Sequence, residues 1–546
     1  MSRLSIIFLS FLLFSGCAQV VAPTGGPKDT TPPKVVSYSP KNKSIQFHAK
    51  KIDIEFDEYI QLKDLTKQFI VSPPLKHLPT PIVKGKVLEI SLAKDTLLDS
   101  TTYTFNFGDG VADLHEGNPY KNFQYVFSTG TYVDSLSIQG IALDAFSHDT
   151  IKGGLVLMYT DLDDSTPYKK LPAYCGQTND HGKYRIDNIK NGSYRIIAIS
   201  KASGDYFYHP YNQNIGFRNG VLSLNKNDTI NFFLFREEPK KLEFIKAKGI
   251  GKGEIMLIFN KSTDSIKVTP LNTSTLTPYN TLYQYSGNRD TVTYWTNYPD
   301  LDSLRFIISR KDTILDTAIV YNIPGHTVKT TSTKKKNTKA EKPPSMQAAL
   351  NATEKMPYDF HQPFVIKFVQ PVTNYDLSKI KLIQRKDTIP LKPVGESSPY
   401  RLLLAPQKDL ISDSVYYFTI MPGAFINFFN YTNDTIIRHF PIEEQSYYGT
   451  LKLDLSFSKK THYLVQLLNE HNAIYRQDTV SRTGSIFYDG VPPALYSIRV
   501  IEDDNNNGKW DIGNYMKGIE PEQVFYYPDK INIRSNWDVN QGWKVN

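Results

Sequence analysis

Cysteine is almost missing from this chain. Of 546 residues only Cys17 and Cys175 carry a thiol, too few for a disulfide framework. Long apolar runs are missing too. The best covers nine residues, Ile6 to Phe14, and is broken by Ser10; a helix needs about 20 to cross a bilayer. Helical periodicity is nearly absent, and Leu62 to Phe69 is its best candidate. Catalytic signatures are lacking as well. Among 11 His there is no His-Glu-x-x-His zinc pair, and no Gly-x-Ser-x-Gly elbow occurs. Gly249-Ile250-Gly251-Lys252-Gly253 mimics a phosphate loop. It sits between strand patterns with no helix behind it to aim amides at a phosphate, so it reads as a hairpin. Asp57-Glu58 could supply a glycosidase pair, but neighbours on a strand point to opposite faces. The chain reads as no enzyme and implies no small-molecule substrate.

Charge is close to balanced outside one segment. The net charge is +8, but Lys329 to Lys342 (KTTSTKKKNTKAEK) holds six Lys and one Glu. Such a run beside Pro343-Pro344 reads as a solvated linker, and no nucleic-acid partner is expected.

What is present is strand after strand. Aromatics make up 13% of the chain, with 35 Tyr and 30 Phe, a composition biased towards strands. Ile52, Ile54 and Phe56 alternate with polar residues, as do Tyr103, Phe105 and Phe107. Turn residues such as Lys94-Asp95 and Asn225-Lys226-Asn227-Asp228 separate these runs.

The patterns repeat. Ile54-Glu55-Phe56 aligns with Leu257-Ile258-Phe259 and Ile366-Lys367-Phe368. Downstream, Asp99-Ser100-Thr101-Thr102-Tyr103 aligns with Asp302-Ser303-Leu304-Arg305-Phe306 and Asp413-Ser414-Val415-Tyr416-Tyr417. Phe to Asp spans 43, 43 and 45 residues. Gly108-Asp109-Gly110 and Pro422-Gly423 mark a shared turn. A second repeat runs from Gly182 to Tyr194 and from Gly484 to Tyr496, 12 residues each. These features predict an all-β protein of tandem sandwiches in an elongated array.

Residues 34–130, with IEFDEYI, LLDSTTYTFNF, GDGVADLHEGN and YVFSTG, resemble a bacterial Ig-like domain of the SbsA type. Residues 135–237, with SIQGIALDAF and GKYRIDNIKNGSYRIIAI, resemble a transthyretin-like or carboxypeptidase-regulatory-like sandwich, and 446–546 repeat that pattern. Residues 240–323 and 346–442 are divergent Ig-like copies without the acidic FDE, separated by a Lys/Thr-rich linker at 325–345. That linker is expected to be the first protease-sensitive site within the array.

The start of the chain resembles a lipoprotein signal peptide (1–16), with Arg3 before the apolar run. Leu13-Phe14-Ser15-Gly16-Cys17 resembles a lipobox, with Phe14 where the motif usually has Leu. The resemblance implies cleavage before Cys17 and a lipid, palmitate included, on that residue. Residues 17–33 then form a Pro/Gly/Thr-rich tether. Ala18, rather than Asp, follows the cysteine, and the resemblance to Bacteroidota envelope lipoproteins then implies the outer membrane; the face stays open. The partners expected are the membrane, through the anchor, and an envelope protein or a glycan. Tyr206, Phe207, Tyr208, His209 and Tyr211 form the dense aromatic stretch a glycan platform would use; the favoured reading is that these rings pack in a loop against the sheet. The triplet Asp-[Ser/Thr]-aliphatic, as in Asp228-Thr229-Ile230 and Asp312-Thr313-Ile314, resembles an O-glycosylation acceptor of such envelopes and also suits hairpin ends.

One candidate ligand site stands out. Asp503, Asn505, Asn507, Lys509 (through its carbonyl) and Asp511 occupy positions 1, 3, 5, 7 and 9 of an EF-hand-type series, with Gly508 at 6. Position 12 is Asn514 rather than Glu. The spacing predicts weak calcium binding, about 10⁻⁴ to 10⁻³ M. The same residues also suit a plain polar hairpin turn. No other cofactor is expected.

Overall fold

The computed structural model describes residues 28–92, 96–200, 205–251, 253–271, 280–297, 303–321, 345–354, 357–395, 397–411 and 414–545. Cys17, most of the tether, nearly all of the 325–345 linker, Lys94-Asp95, Asp302 and Asp413 lie outside them. The chain divides into two compact units: residues 1–235 with Tyr515–Gly518, and 236–514 with 519–546. Both are tandem β-sandwiches.

In the first unit, residues 35–128 make a sandwich of two antiparallel sheets. One runs Val35–Ser39, Lys51–Phe56, Val87–Ser91, Ile82–Lys84; the other runs Ile70–Ser72, Thr102–Gly108, Phe123–Ser128. Period-two alternation turns Ile52, Ile54 and Phe56 inward against Tyr103, Phe105, Phe107 and Phe127. Each such side chain contributes about 1.5–3 kcal/mol when buried. The expected helix shrinks to one turn, Leu65–Gln68 (α1), entered through Asp64 at φ 47°.

Asp57 and Glu58 are not strand neighbours, as expected above. The strand ends at Phe56, and both residues lie in the bend beyond it. There the Asp57 carboxylate accepts the Lys34 N–H at 2.8 Å.

The strand Thr102–Gly108 departs from one-sided alternation, since Thr102 and Thr104 on its outer face are buried too. The cause is the next sandwich, residues 136–234, which packs on that face. One of its sheets runs Lys183–Ile189, Leu136–Asp144, Asp228–Thr229; the other runs Tyr174–Gln177, Leu155–Tyr159, Gly192–Ile199, Ile215–Phe217. The seam is polar and satisfied. Asp134 and Thr102 bond reciprocally at 2.8 and 3.0 Å, Asn188 donates to Thr104 at 2.8 Å, and Cys175 N–H donates to Ser72 at 3.0 Å. Buried polar groups left unpaired here would each cost about 1–3 kcal/mol.

In the second unit, Ile255, Leu257 and Phe259 pack against Leu304, Phe306 and Ile308, and Phe364, Ile366 and Phe368 against Tyr416, Phe418 and Ile420. The hairpin expected at Gly249–Gly253 is present, with Gly251 paired to Glu254 across the turn and Gly253 at φ 64°. The repeat alignment needs one correction. Tyr416, not Tyr417, is the counterpart of Tyr103. Tyr416 is buried while Tyr417 is exposed, and a one-residue slip exchanges the two faces. Both inward tyrosines use the same bond: Tyr103 accepts the Leu98 N–H at 2.8 Å, and Tyr416 the Ile411 N–H at 2.7 Å. The shared turn also holds, with Gly108 at φ 54° and Gly423 at φ 70°, where a Cβ would be strained.

The last sandwich, residues 449–545, has one sheet of Gly484–Val491, Gly449–Phe457, Asp538–Val545 and another of Ile474–Val480, His462–Leu468, Ala494–Asp503, Val524–Tyr526. No helix among the described residues is long and apolar enough to cross a membrane.

Candidate functional site

The loop after strand Ala494–Asp503 is built from its two ends. His462 and Asp503 pair across the sheet, which buries Asp503 completely. Its carboxylate then accepts the N–H groups of Asn507 at 2.9 Å and Gly508 at 2.8 Å. The Asn505 side-chain oxygen accepts Asn507 N–H and that of Asn507 accepts Lys509 N–H, both at 3.0 Å. Asn506 at φ 56° and Gly508 at φ 78° supply the left-handed corners. Asp511 closes the loop by accepting the side-chain amides of Asn505 and, at 2.7 Å, Asn507.

The structure thus brings Asp503, Asn505, Asn507 and Asp511 into one turn. Lys509 enters it through its backbone N–H, and its side chain is exposed. The sequence reading missed Glu522. Its two oxygens accept the N–H groups of Asp504 at 3.0 Å and Asp511 at 2.9 Å, and its carbonyl accepts the Trp510 indole at 2.7 Å. Burial pushes the Glu522 carboxyl up, the N–H bonds from Asp511 and Asp504 oppose that, and the charges of Asp511 and Asp503 add to the rise. Asp504 points the other way. The Lys459 ammonium, 2.8 Å from its carboxylate, holds it below the usual range. The carboxylates of Asp503, Asp511 and Glu522 therefore each have a bonding role within the turn, while that of Asp504 is taken by Lys459 and Thr461. Among the described residues no group of three or more His, Cys, Asp or Glu is placed to hold a metal ion.

The aromatic stretch does not make a flat platform. Tyr208 is buried against Tyr168 at 5.4 Å between ring centres, and Tyr206, Phe207 and Tyr211 are half-buried. Burial and the neighbouring Cys175 push the Tyr206 hydroxyl up. Cys175 itself is buried, its thiol donates to the Val71 carbonyl at 3.3 Å, and desolvation pushes it to about 12. A thiol so held is no nucleophile at neutral pH.

The GDGVADLHEGN turn is a second carboxylate-centred loop. Buried Asp113 accepts the N–H groups of Glu116, Gly117 and Asn118 at 2.7, 2.9 and 2.6 Å. Burial works to raise its carboxyl, but these amides outweigh burial and hold it low. Glu58 nearby is raised by its own desolvation and then by the charges of Asp113 and Asp57.

No curated protein matches this chain. Among solved structures it is similar to the BcpA major pilin subunit of Bacillus cereus (10% identity, 76% of this chain, 100% of that chain, TM-score 0.14). It is also similar to domains 1–6 of the surface layer protein SbsC (12% identity, 92% of this chain, 67% of that chain, TM-score 0.15). Alpha-2-macroglobulin from Escherichia coli, domains MG0-NIE-MG1, is a third (12% identity, 48% of this chain, 95% of that chain, TM-score 0.19). Scores so low carry no functional argument. A family model gives the firmer result: residues 29–129 match the bacterial Ig-like domain, so the chain carries such a domain at the head of a tandem array of β-sandwiches.

Proposed function

We propose that this is a non-catalytic lipoprotein of the cell envelope, anchored through Cys17 at the outer membrane, whose sandwiches form a scaffold presented to a protein partner. The observation that carries the reading is the seam between the first two sandwiches. Thr102, Thr104 and Ser72 occupy an outer sheet face that would be wet in a lone domain, and here they are buried and bonded to Asp134, Asn188 and Cys175. Such a joint resists bending, which a spacer needs and a flexible string of domains lacks. The anchor is supported by the short apolar run and by Ser15-Gly16-Cys17.

The test is fractionation with crosslinking. Wild-type protein should label with a palmitate analogue and sediment with membranes, and Cys17→Ala should leave them. Crosslinking of the wild type in intact cells should then capture an envelope protein. Unlabelled wild type found soluble would overturn the anchor, and an anchored protein with no crosslinked partner would overturn the scaffold.

A further inference from the structure

The seam that stiffens the first unit leaves a groove beside it. The outer face of the sheet Ile70–Ser72, Thr102–Gly108, Phe123–Ser128 is covered at one end and open at the other, where Asn106 and Gln124 sit paired across strands. Opposite lies the outer face of Leu136–Asp144 and Lys183–Ile189, where Gln139 pairs with Arg185 and Ile141 with Lys183. Together these two faces and their loops enclose about 1490 Å³, more than the roughly 300–1,000 Å³ of a small-molecule pocket.

The lining is polar in a particular way. Amide side chains dominate the walls, among them Asn106, Gln124, Gln139 and Gln177. Four ammonium groups stand at the rim and walls, on Lys67, Lys121, Lys152 and Lys183, and among the described residues none of them is in an ion pair. Arg185 is committed, with Asp187 at 2.8 Å and Gln139 at 3.0 Å. That leaves Asp109 and Asp180 as the other carboxylates of the groove. The single tyrosine of the lining, Tyr184, is buried and its hydroxyl donates to the Ile230 carbonyl at 2.8 Å. No ring is offered for stacking.

We propose that this groove binds an extended anionic glycan, a hydroxyl-rich chain carrying carboxylate groups. Amides and carboxylates interleaved along both walls match sugar hydroxyls, which donate and accept at once. The excess of ammonium over carboxylate asks for negative charge on the ligand. Asp109 and Asp180 argue against a polyphosphate or polysulfate, and the engaged Arg185 leaves no guanidinium fork for phosphate. An acidic peptide fits less well, because the walls offer few apolar hollows for side chains. Because the seam holds both walls in place, little ordering cost falls on binding. The inference does not depend on the lipid anchor.

The experiment uses the full chain, with polygalacturonate as probe, dextran as its neutral counterpart and poly-glutamate as the peptide counterpart. Lys121→Glu with Lys152→Glu reverses two exposed charges without touching a core. Lys246→Glu with Lys248→Glu, exposed on a strand elsewhere, is the control. Thermal unfolding and circular dichroism verify that each variant is folded. Expected are binding of polygalacturonate but not dextran, at least tenfold weaker binding for the groove variant, and less than twofold change for the control. No binding of polygalacturonate, equal binding of dextran, or equal loss in both variants would overturn the proposal. Poly-glutamate binding as tightly as polygalacturonate would overturn it in favour of an acidic peptide.

Discussion

In the sandwich of residues 136–234 the Tyr194 hydroxyl donates to the Lys190 carbonyl at 2.6 Å, and in that of residues 449–545 Tyr496 donates to Pro492 at 3.0 Å. Both bonds reach back four residues, and both rings are buried. The central strand of one sheet has an antiparallel neighbour and a parallel one in each case: Leu136–Asp144 between Lys183–Ile189 and Asp228–Thr229, Gly449–Phe457 between Gly484–Val491 and Asp538–Val545. Even the bulges correspond, at Leu136/Ile138 and Gly449/Leu451. The loops after Gly192–Ile199 and Ala494–Asp503 differ in everything. One carries half-buried aromatics and an Asp205–His209 contact of 3.0 Å; the other is wound on the carboxylates of Asp503, Asp511 and Glu522. The skeleton is kept by core contacts and one tyrosine bond, while each loop lies outside the apolar cluster of its own sandwich and is left to vary.

The largest effect should come from that skeleton. Tyr194→Ala and Tyr496→Ala each empty a buried ring site, at about 3–5 kcal/mol. Hydrogen exchange of the full chain reads the loss locally, as faster exchange in the mutated sandwich alone. A similar loss in both is expected. A loss in only one would break the equivalence.

The loops should then respond unequally. Asp503→Ala takes from the Gly508 N–H its acceptor and leaves the Asn507 N–H only its bond to Asn505, at about 1–3 kcal/mol. Asp205→Ala removes a half-exposed contact to His209, at about 0–1 kcal/mol. Exchange at residues 504–511 and 206–213 separates the two, and equal effects would mean that Asp503 is not the centre of its loop.

This pattern explains what was legible beforehand. Alternating Ile52, Ile54, Phe56 and the Gly-to-Tyr repeats exposed strands and cores, because a sandwich imposes period two on its sequence. The slip at Tyr416/Tyr417 was not legible, since both residues are tyrosine and only the inward one makes the Ile411 bond. Thr102 and Thr104 looked like ordinary wet-face residues, and nothing local says that another sandwich covers them. Glu522 was missed because it joins the loop from 11 residues beyond Asp511, outside any fixed spacing. The groove is less legible still: its two walls belong to different sandwiches, and nothing local says that their outer faces meet.

Calcium should act on the same loop within the range of the Asp503 substitution. The spacing of Asp503, Asn505, Asn507, Lys509 and Asp511 predicts a dissociation constant of about 10⁻⁴ to 10⁻³ M, and at the weak end of that range about 10 mM calcium would add about 1.4 kcal/mol. Binding requires the Asn505 and Asn507 amides to turn their oxygens inward, away from their present N–H contacts with Asp511. The expected sign is slower exchange at 504–511 in calcium than in chelator, abolished by Asp503→Asn with Asp511→Asn. Equal exchange would leave the turn alone.

The smallest effect is a pH dependence of the loop wound on Asp503. Glu522 has a folded pKa above its ordinary value, from burial first and then from Asp511 and Asp503. The folded state therefore takes up its proton more readily than the unfolded one. Stability from this group rises as pH falls from neutral through the folded value, and levels off below the unfolded value. Asp504 acts oppositely. Its carboxyl is held low, chiefly by the hydrogen bond from Lys459, so its contribution is full above the ordinary carboxyl value and is lost as the pH falls from there through the lowered one. Protection at 504–511, corrected for intrinsic exchange rates, should thus pass through a maximum in mildly acidic solution. Glu522→Gln cannot titrate, so it should lose the rising limb and keep the acid fall. If the variant still gains protection on acidification, the rise belongs to another group, and Glu522 does not close this loop as a carboxylate under strain from its neighbours.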